Sequence, residues 1–501
     1  MTARRMLEVA KVLAELLGAR VAASVAPRRE GDCASAGKRE RARAVRLALE
    51  RLGPFYVKVG QMLSTRPDFV SEEIRAELAK LHDQVTSVPF ELFEPMLAAE
   101  LGPDWERRFE RIERGRPLGS ASLAQTYEVV LPGGAGGVLK IQRPDVRALV
   151  LDDMAMMRRA ARLVAKGFPG FNAVMDVESA LGAILDSMEA ELDFTVEAVN
   201  MDHARELTAS FDYLDVPDVI TATPRVLVQS LAPGRSIREI DRDALTEKER
   251  VGIGRDLLAF MYQGYFVNRY FHADPHPGNI LVAPGERAHL IDWGMVGRLD
   301  RRMSMTLLNV LLALAHNDGP GVARAWVELG RATPGADITG FAQDMAGLVP
   351  KIASASLKDL DFGLTLTSVL KYATRRGIQT APIVPLVGKS FSNMEGSVRY
   401  LAPELVITDV FQEELRSILF TLARESMSEI RAARTVVDLL IGHELAPEQV
   451  RGLLRDVSNR ELTLRVATLG GRAAGRRTGD RMLLGAAVAA GLWWWSRTRN
   501  T

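Results

Sequence analysis

The chain has 501 residues, 47% hydrophobic and 25% charged, which excludes a disordered or fibrous protein and suits a soluble core of two or three domains. A net charge of +1 gives no argument for nucleic-acid binding, and the single cysteine, Cys33, cannot form an internal disulfide. Glu8, Lys11 and Glu15 interrupt the apolar run near the N-terminus, so no signal peptide is expected.

In chain order, Arg5 to Val25 carries Met6, Val9, Leu13, Leu16, Leu17 and Val21 at helical spacing, an amphipathic helix whose apolar face needs a protein or membrane partner. Arg28 to Arg43 is charged and contains Gly and Ser, the pattern of a linker, with a second helix ending near Leu52. Gly53-Pro54 starts a further helix that Arg66-Pro67 closes, Ser71 caps another, and Pro89 to Leu101 is helical. At Pro117 the pattern changes to strand, small-residue turn and strand through Gly134.

Val138 to Gln142 is an apolar strand with Lys140 in its middle. Alone it reads as an edge lysine facing water. Placed after a small-residue hairpin and before the aspartates described below, it reads as the lysine that grips the α and β phosphates of a nucleotide. Asp145 to Ala165 and Ser179 to Ala209 are helical by period, the second putting Asp193 and Glu197 one turn apart on one face with Glu191 nearby. Such carboxylates are ordinarily a solvated face, but Lys140 needs an anion, which favours an ion pair. Arg225 to Ser230 is a strand, Leu231 to Arg235 a hinge between two lobes, and Asp256 to Val267 a helix.

The stretch His272 to Asn279, HADPHPGN, followed by Ile291 to Gly294, IDWG, carries the parts of a phosphoryl-transfer site. Asp274 would orient or deprotonate an acceptor, while Asn279 and Asp292 would hold Mg²⁺, a hard cation that prefers oxygen ligands. Asn279 to Val282 and Ala288 to Ile291 form a hairpin that brings Asn279 and Asp292 to one end. A transition-metal cluster of His272, Asp274 and His276 is the competing reading and leaves Asn279 and Asp292 unexplained. From Gly294 the chain passes within a few residues into the helix Met303 to His316, with no activation segment and no Ala-Pro-Glu anchor, so a peptide-binding platform is not expected.

Together these segments resemble the UbiB-type (AarF-type) atypical kinase family, proteins tied to quinone biosynthesis. The resemblance runs from about Leu52 to about Leu405, through KVGQ (Lys58 to Gln61), SASLAQ (Ser120 to Gln125), the strand lysine, ELDFTVEA, FHADPHPGN, DWG and MEGSVRYLAPEL (Met394 to Leu405). It implies an α+β, two-lobed protein-kinase-like fold with a helical N-terminal extension and C-terminal helices. The regions are 1–115 for the extension, 116–230 for the N-lobe, 231–410 for the C-lobe, 411–480 for a helical region and 481–501 for a hydrophobic anchor. It further implies ATP and Mg²⁺ as cofactors and an alanine-rich phosphate loop, Ser120, Ala121, Ser122, Leu123 and Ala124. Lys140 and Glu197 would form the phosphate-binding pair, with Glu191 and Asp193 facing Lys58 and the Lys58–Gln61 segment folded over the nucleotide site.

Gly119, Thr126-Tyr127 and Gln229-Ser230 depart from the residues common in that family, the first loosening the loop and the last bearing on nucleotide preference. The implied function is an ATP-dependent phosphotransferase or ATPase serving quinone or other isoprenoid-lipid metabolism, with a lipid or quinone-pathway molecule, a membrane and quinone-biosynthesis proteins as partners and no nucleic acid. Two alternatives stand beside it: a small-molecule phosphotransferase of the aminoglycoside or choline kinase type, which lacks the KVGQ and MEGSVRYLAPEL segments, and a nucleotide-binding scaffold.

Phe411, Leu415, Ile418, Leu419 and Leu422 form a core-type stripe. Met482 to Trp495 is an uncharged run ending in three tryptophans with arginines on both sides. At 1.5 Å per residue it reaches about 21 Å against a hydrocarbon core of roughly 30 Å, a short anchor that places the catalytic body at the cytoplasmic face.

Overall fold

The computed structural model describes residues 5, 7–9, 11–12, 33–64, 70–81, 86–167, 177–333, 335–354 and 362–426. Residues 1–424 form one compact unit and 425–501 a second. The expected anchor 481–501, nearly all of 411–480 beyond Ser426, and most of the N-terminal helix therefore lie outside the described residues. Among the described residues no helix is long and apolar enough to cross a membrane.

The extension contains α1 (Cys33–Leu52), α2 (Pro54–Ser64), α3 (Glu72–Leu78) and α4 (Glu94–Leu101). From Cys33 to Arg43 the expected linker is instead the first half of α1: its alanines, lysine, arginines and glutamate are strong helix formers, so the charge density that reads as a linker is a solvated helix face. Val9 and Val12 from the N-terminal turns are buried with Leu52, Phe55, Tyr56, Met154 and Met188, so part of that apolar face is satisfied by the chain itself. Arg5 adds a fork onto buried Asp153, Nε to Oδ1 at 2.9 Å and Nη2 to Oδ2 at 2.6 Å.

The N-lobe is a six-stranded sheet in the order β1 (Arg111–Ile112), β3 (Ala124–Val130), β4 (Gly136–Gln142), β7 (Val226–Ser230), β6 (Val219–Ala222), with β2 (Gly119–Ser120) on β3. Strand alternation decides its faces. Tyr127, Val129, Leu139, Ile141, Val226 and Val228 point to a core filled by Phe90, Phe93, Leu97, Trp105 and Phe109 of the extension, and Lys140, between Leu139 and Ile141, goes to the opposite side. Among the described residues, α5 (Val146–Gly167), α6 (Val177–Glu191) and α7 (Phe194–Thr208) follow the strand. The single helix expected over Ser179 to Ala209 is broken, because Asp193 adopts an extended conformation (φ −134°, ψ 101°) and caps α7.

In the C-lobe, β8 (Arg235–Ser236) joins β10 (Ile280–Val282), β11 (Ala288–Leu290) and β5 (Leu214–Asp215) in one sheet, and β9 (Tyr270–His272) pairs with β12 (Val296–Arg298). Gly234 (φ +93°) is needed at the hinge, where a Cβ would meet the Val282 carbonyl oxygen at 2.1 Å. α8 (Glu247–Gln263) starts nine residues before the expected Asp256, fixed by a capping box between Thr246 and Glu249. Then come α9 (Arg301–Ala315), capped by Asp300, α10 (Gly319–Leu329), α11 (Ile338–Ser354), α12 (Phe362–Arg375), α13 (Ile383–Leu401) and α14 (Ile407–Ser426). Phe411, Ile418 and Leu422 share the C-lobe core with Tyr262, Phe391 and Val398, so α14 crosses the expected boundary at 410/411, whereas Leu419 is 46% exposed and off the stripe.

Arg5→Ala leaves Asp153 buried without its cation, which is expected to cost roughly 3 kcal/mol. The check is the denaturant midpoint of the full chain, with Arg5→Met/Asp153→Leu recovering most of the loss and Arg5→Lys only part.

Candidate functional site

The site is assembled where the N-lobe sheet, α7 and the β10–β11 hairpin meet. Lys140 lies on the cleft side of β4, with Nζ 2.8 Å from both Glu197 oxygens and 3.1 Å from Asp292 Oδ1. Glu197 is buried one turn into α7, and its partner therefore carries a real electrostatic load. Burial opposes the Lys140 charge, but Asp292 and Glu197 outweigh it and hold the amine above its ordinary pKa. Lys140, helped by Lys58 against the effect of burial, holds Asp292 well below the usual carboxylate range. Burial, with the Asp292 charge beside it, pushes Glu197 up despite Lys140.

Asp292 stands at φ +61°, a left-handed conformation that aspartate tolerates better than most side chains and that turns its carboxylate into the cleft. The backbone around it is fixed: Trp293 is fully buried and donates from Nε1 to the Leu290 carbonyl at 3.0 Å, and Asn200 donates to the Trp293 carbonyl at 3.0 Å. The hairpin register Ile280↔Leu290 continues into a bond from Ile291 N to the Asn279 carbonyl at 2.9 Å, which draws the segments carrying Asn279 and Asp292 together. The Asn279 side-chain amide donates to the Asp274 carbonyl at 3.1 Å, leaving its oxygen to accept. A carboxylate and an amide oxygen at one end of a hairpin are the donor chemistry Mg²⁺ requires, with phosphates supplying further oxygens.

His272 is buried with both ring nitrogens engaged. Nδ1 accepts from Asp274 N at 3.0 Å, so Nε2 carries the proton toward the Ile291 carbonyl at 3.1 Å, and burial keeps the ring neutral by lowering its pKa. His276 accepts from Gly278 N at 3.0 Å. The histidines thus shape the loop, and among the described residues no group of three or more His, Cys, Asp and Glu side chains is arranged as a metal site.

Lys389 and Asn393 are the partners that sequence reasoning misses. Asn393 donates to Asp274 Oδ1 at 2.6 Å and Lys389 Nζ lies 2.9 Å from Oδ2, while Ser390 donates to the His272 carbonyl at 2.6 Å and Ser397 to the Pro275 carbonyl at 3.1 Å. All four come from α13, and Lys389, Asn393 and Ser397 recur every fourth residue on one face, a polar stripe that could have flagged them. Although burial works the other way, Lys389, with His276 and Lys58 behind it, holds Asp274 below the ordinary carboxylate range. Within MEGSVRYLAPEL, Glu395 is fully buried and accepts from Phe362 N and Gly363 N at the start of α12, a structural role.

Lys58 meets Glu191 at 2.9 Å, with both side chains largely buried. Asp193 does not join them as the resemblance implies: its Oδ1 accepts from Thr195 N at 3.0 Å and Thr195 Oγ1 at 2.6 Å. The helix break moves its carboxylate to capping. Gln61 donates to the Leu81 carbonyl at 3.2 Å, a tie within the extension.

In the alanine-rich loop, Ala121 N bonds to the Ala124 carbonyl at 2.9 Å, Ser122 and Ala124 are buried, and Leu123 is packed in the extension core. Ser120 and Ala121 are gripped by Arg143, a third residue missed in the sequence, which donates from Nε to the Ala121 carbonyl at 2.7 Å and from Nη2 to Ser120 Oγ at 2.6 Å. Gly119 and Thr126, two of the departures from the family pattern, are cross-strand partners, and a Cβ at 119 would come within 3.1 Å of Thr126 Oγ1. Glycine there accommodates the threonine.

A lobed fold with a sheet lysine paired to a helix glutamate and to the aspartate of a D-aromatic-G turn defines a protein-kinase-like fold. Comparison with known proteins gives the family. The model of the ABC1 atypical kinase-like domain matches residues 80–326. A probable protein kinase UbiB of Pseudomonas paraeruginosa is 33% identical over 375 residues, 72% of this chain and 68% of that protein, and one of Xylella fastidiosa is 30% identical over 76% and 70%. The solved complex of Rv3197 with erythromycin from Mycobacterium tuberculosis is similar over 69% of this chain and 92% of that one, at 22% identity and a TM-score of 0.46. The chain belongs to the ABC1/UbiB atypical kinase-like family.

Asp193→Ala is expected to cost about 1 kcal/mol through loss of the α7 cap, with nucleotide binding retained. Glu191→Ala, which removes the ion pair with Lys58, is expected to alter nucleotide binding. Chemical denaturation and a nucleotide titration on both variants separate capping from site chemistry.

Proposed function

We propose that the protein binds Mg-ATP at the Lys140–Glu197–Asp292 junction and acts as an ATP-dependent phosphotransferase or ATPase on behalf of quinone or other isoprenoid-lipid metabolism at a membrane. The observation that carries the nucleotide reading is the lysine shared between Glu197 and Asp292, a cation fixed by the fold and open to an anion on its cleft side. Asn279 and Asp292 would hold Mg²⁺, which when bound bridges and neutralises phosphate oxygens. Lys140 would bind the α and β phosphates, and the loop at Ser120 and Ala121, held by Arg143, would cover them. Asp274 would orient the acceptor hydroxyl or water.

The acceptor class follows from what surrounds the site. β12 leads through Asp300 directly into α9, so among the described residues no segment stands between them where a peptide would be laid out. The extension contributes Lys58 instead, which acts electrostatically on both Asp274 and Asp292. This supports water or a small or lipid-like acceptor over a protein. The KVGQ and MEGSVRYLAPEL segments, both built into the structure around the site, favour this reading over an aminoglycoside- or choline-kinase activity. The membrane part rests on the uncharged Met482 to Trp495 run with its terminal tryptophans and flanking arginines.

Asp292→Asn is expected to lose the thermal shift that Mg-ATP gives the wild type, since ligand stabilisation follows RT ln(1 + [L]/Kd). Asp274→Asn is expected to keep that shift and lose turnover by ~10² or more. An equal shift for Asp292→Asn and wild type would remove Asp292 from the site. Lys58→Ala removes the Lys58–Glu191 ion pair and is expected to change nucleotide affinity or permit autophosphorylation, read by titration and by labelled phosphate incorporation. Deleting residues 482–501 is expected to move the protein to the soluble fraction on membrane fractionation; retention there would assign membrane attachment to another segment.

A further inference from the structure

The HADPHPGN loop contains no lysine or arginine, and His276 spends Nδ1 on the loop's own backbone. A phosphoryl group passing from nucleotide to an acceptor oriented by Asp274 would carry negative charge on its equatorial oxygens. Beyond any Mg²⁺ that Asn279 and Asp292 would hold, a cation beside Asp274 would stabilise that charge further. Lys140 is committed to Glu197 and Asp292, and Lys58 to Glu191. α13 brings a third lysine, Lys389, to 2.9 Å from Asp274 Oδ2.

Lys389 is more than the loop needs for its shape. Ser390, Asn393 and Ser397 already hold the His272 carbonyl, Asp274 Oδ1 and the Pro275 carbonyl from the same helix. A buried apolar or amide side chain would have served as a fourth prop without desolvating an ammonium. Lys389 instead keeps a quarter of its side chain exposed, and its ammonium has three donors, of which Asp274 takes one. A flexible, compact cation of this kind can hold the carboxylate in place and bind an anion arriving beside it.

We propose that Lys389 is the binding residue for the terminal phosphate of the nucleotide, shared between that phosphate and Asp274, so that a cation supplied from α13 of the same chain replaces one the catalytic loop lacks. This rests on the nucleotide reading above. Binding separates the two, because Lys389 would contact only the γ-phosphate whereas Lys140 and the alanine-rich loop would contact the α and β phosphates.

The experiment is an equilibrium titration of the full-length protein with Mg·ADP and with the non-hydrolysable β,γ-imido analogue of Mg-ATP. Lys389→Met is expected to weaken the triphosphate analogue by about tenfold to a hundredfold, the range of one charge-assisted hydrogen bond, and to leave ADP unchanged. Lys389→Gln, which keeps a donor for Asp274 without charge, is expected to behave in the same way and stands in if the methionine variant does not fold. An unchanged ratio of the two affinities in either folded variant would overturn the proposal and leave the nucleotide site intact. An equal loss for both nucleotides would also overturn it, making Lys389 a prop for the loop. A wild type that binds neither nucleotide would remove the nucleotide reading itself, and the role of Lys389 with it.

Discussion

Lys140 is the joint on which the site depends. Its ammonium joins the N-lobe sheet through β4, the helix α7 through Glu197 and the hairpin segment through Asp292, with distances of 2.8 to 3.1 Å. Removing Lys140 leaves buried Glu197 without its cation beside a second carboxylate, which costs several kcal/mol. The arrangement therefore fixes the relation between three elements far apart in the chain, and it does so with a cation whose remaining field points at the cleft. Strand parity makes it possible: the residues on either side of Lys140 are buried under the aromatic cluster of the extension, so the lysine has only the cleft side to occupy.

The C-lobe solves the complementary problem on the other side of the cleft. Asp274 sits in a short loop rich in proline and glycine, which has little structure of its own to hold a carboxylate. α13 holds it, through Ser390, Asn393, Ser397 and Lys389, while buried Glu395 on the same helix fastens α13 to the start of α12. The extension does for the front of the site what α13 does for the floor. Lys58 is pinned by Glu191, and the α1–α2 core with Leu123 packs directly against the phosphate loop. Helices outside the minimal kinase-like core thus position both the loop and the carboxylate.

Much of this was legible in the sequence where the signal is local. The hairpin between Asn279 and Asp292, the direct entry into α9 and the need of Lys140 for a carboxylate follow from spacing, turn residues and the chemistry of a lysine in an apolar strand, whereas the choice of Glu197 as that carboxylate comes from the family resemblance. Signals set by tertiary context were misread. Asp193 looks like one more carboxylate on a continuous helix face, and only the break at Leu192, whose carbonyl accepts from Gln142 and Arg147, shows that it is a cap. Lys389, Asn393 and Arg143 were missed because each acts across a long sequence separation, 115 residues or more for the α13 pair, on a partner that no periodicity links to it. The charged stretch Cys33 to Arg43 reads as part of a linker because composition distinguishes poorly between a solvated helix and an unstructured segment.

The central claim is that Asn279 and Asp292 form the metal end of a nucleotide site completed by Lys140. Crystals grown with Mn²⁺ and ADP, examined by anomalous scattering at the manganese edge, test it most directly. The account predicts one anomalous peak coordinated by the Asn279 amide oxygen and an Asp292 carboxylate oxygen, with the diphosphate next to Lys140. Bound nucleotide with its metal on other residues, or a diphosphate remote from Lys140, would contradict it.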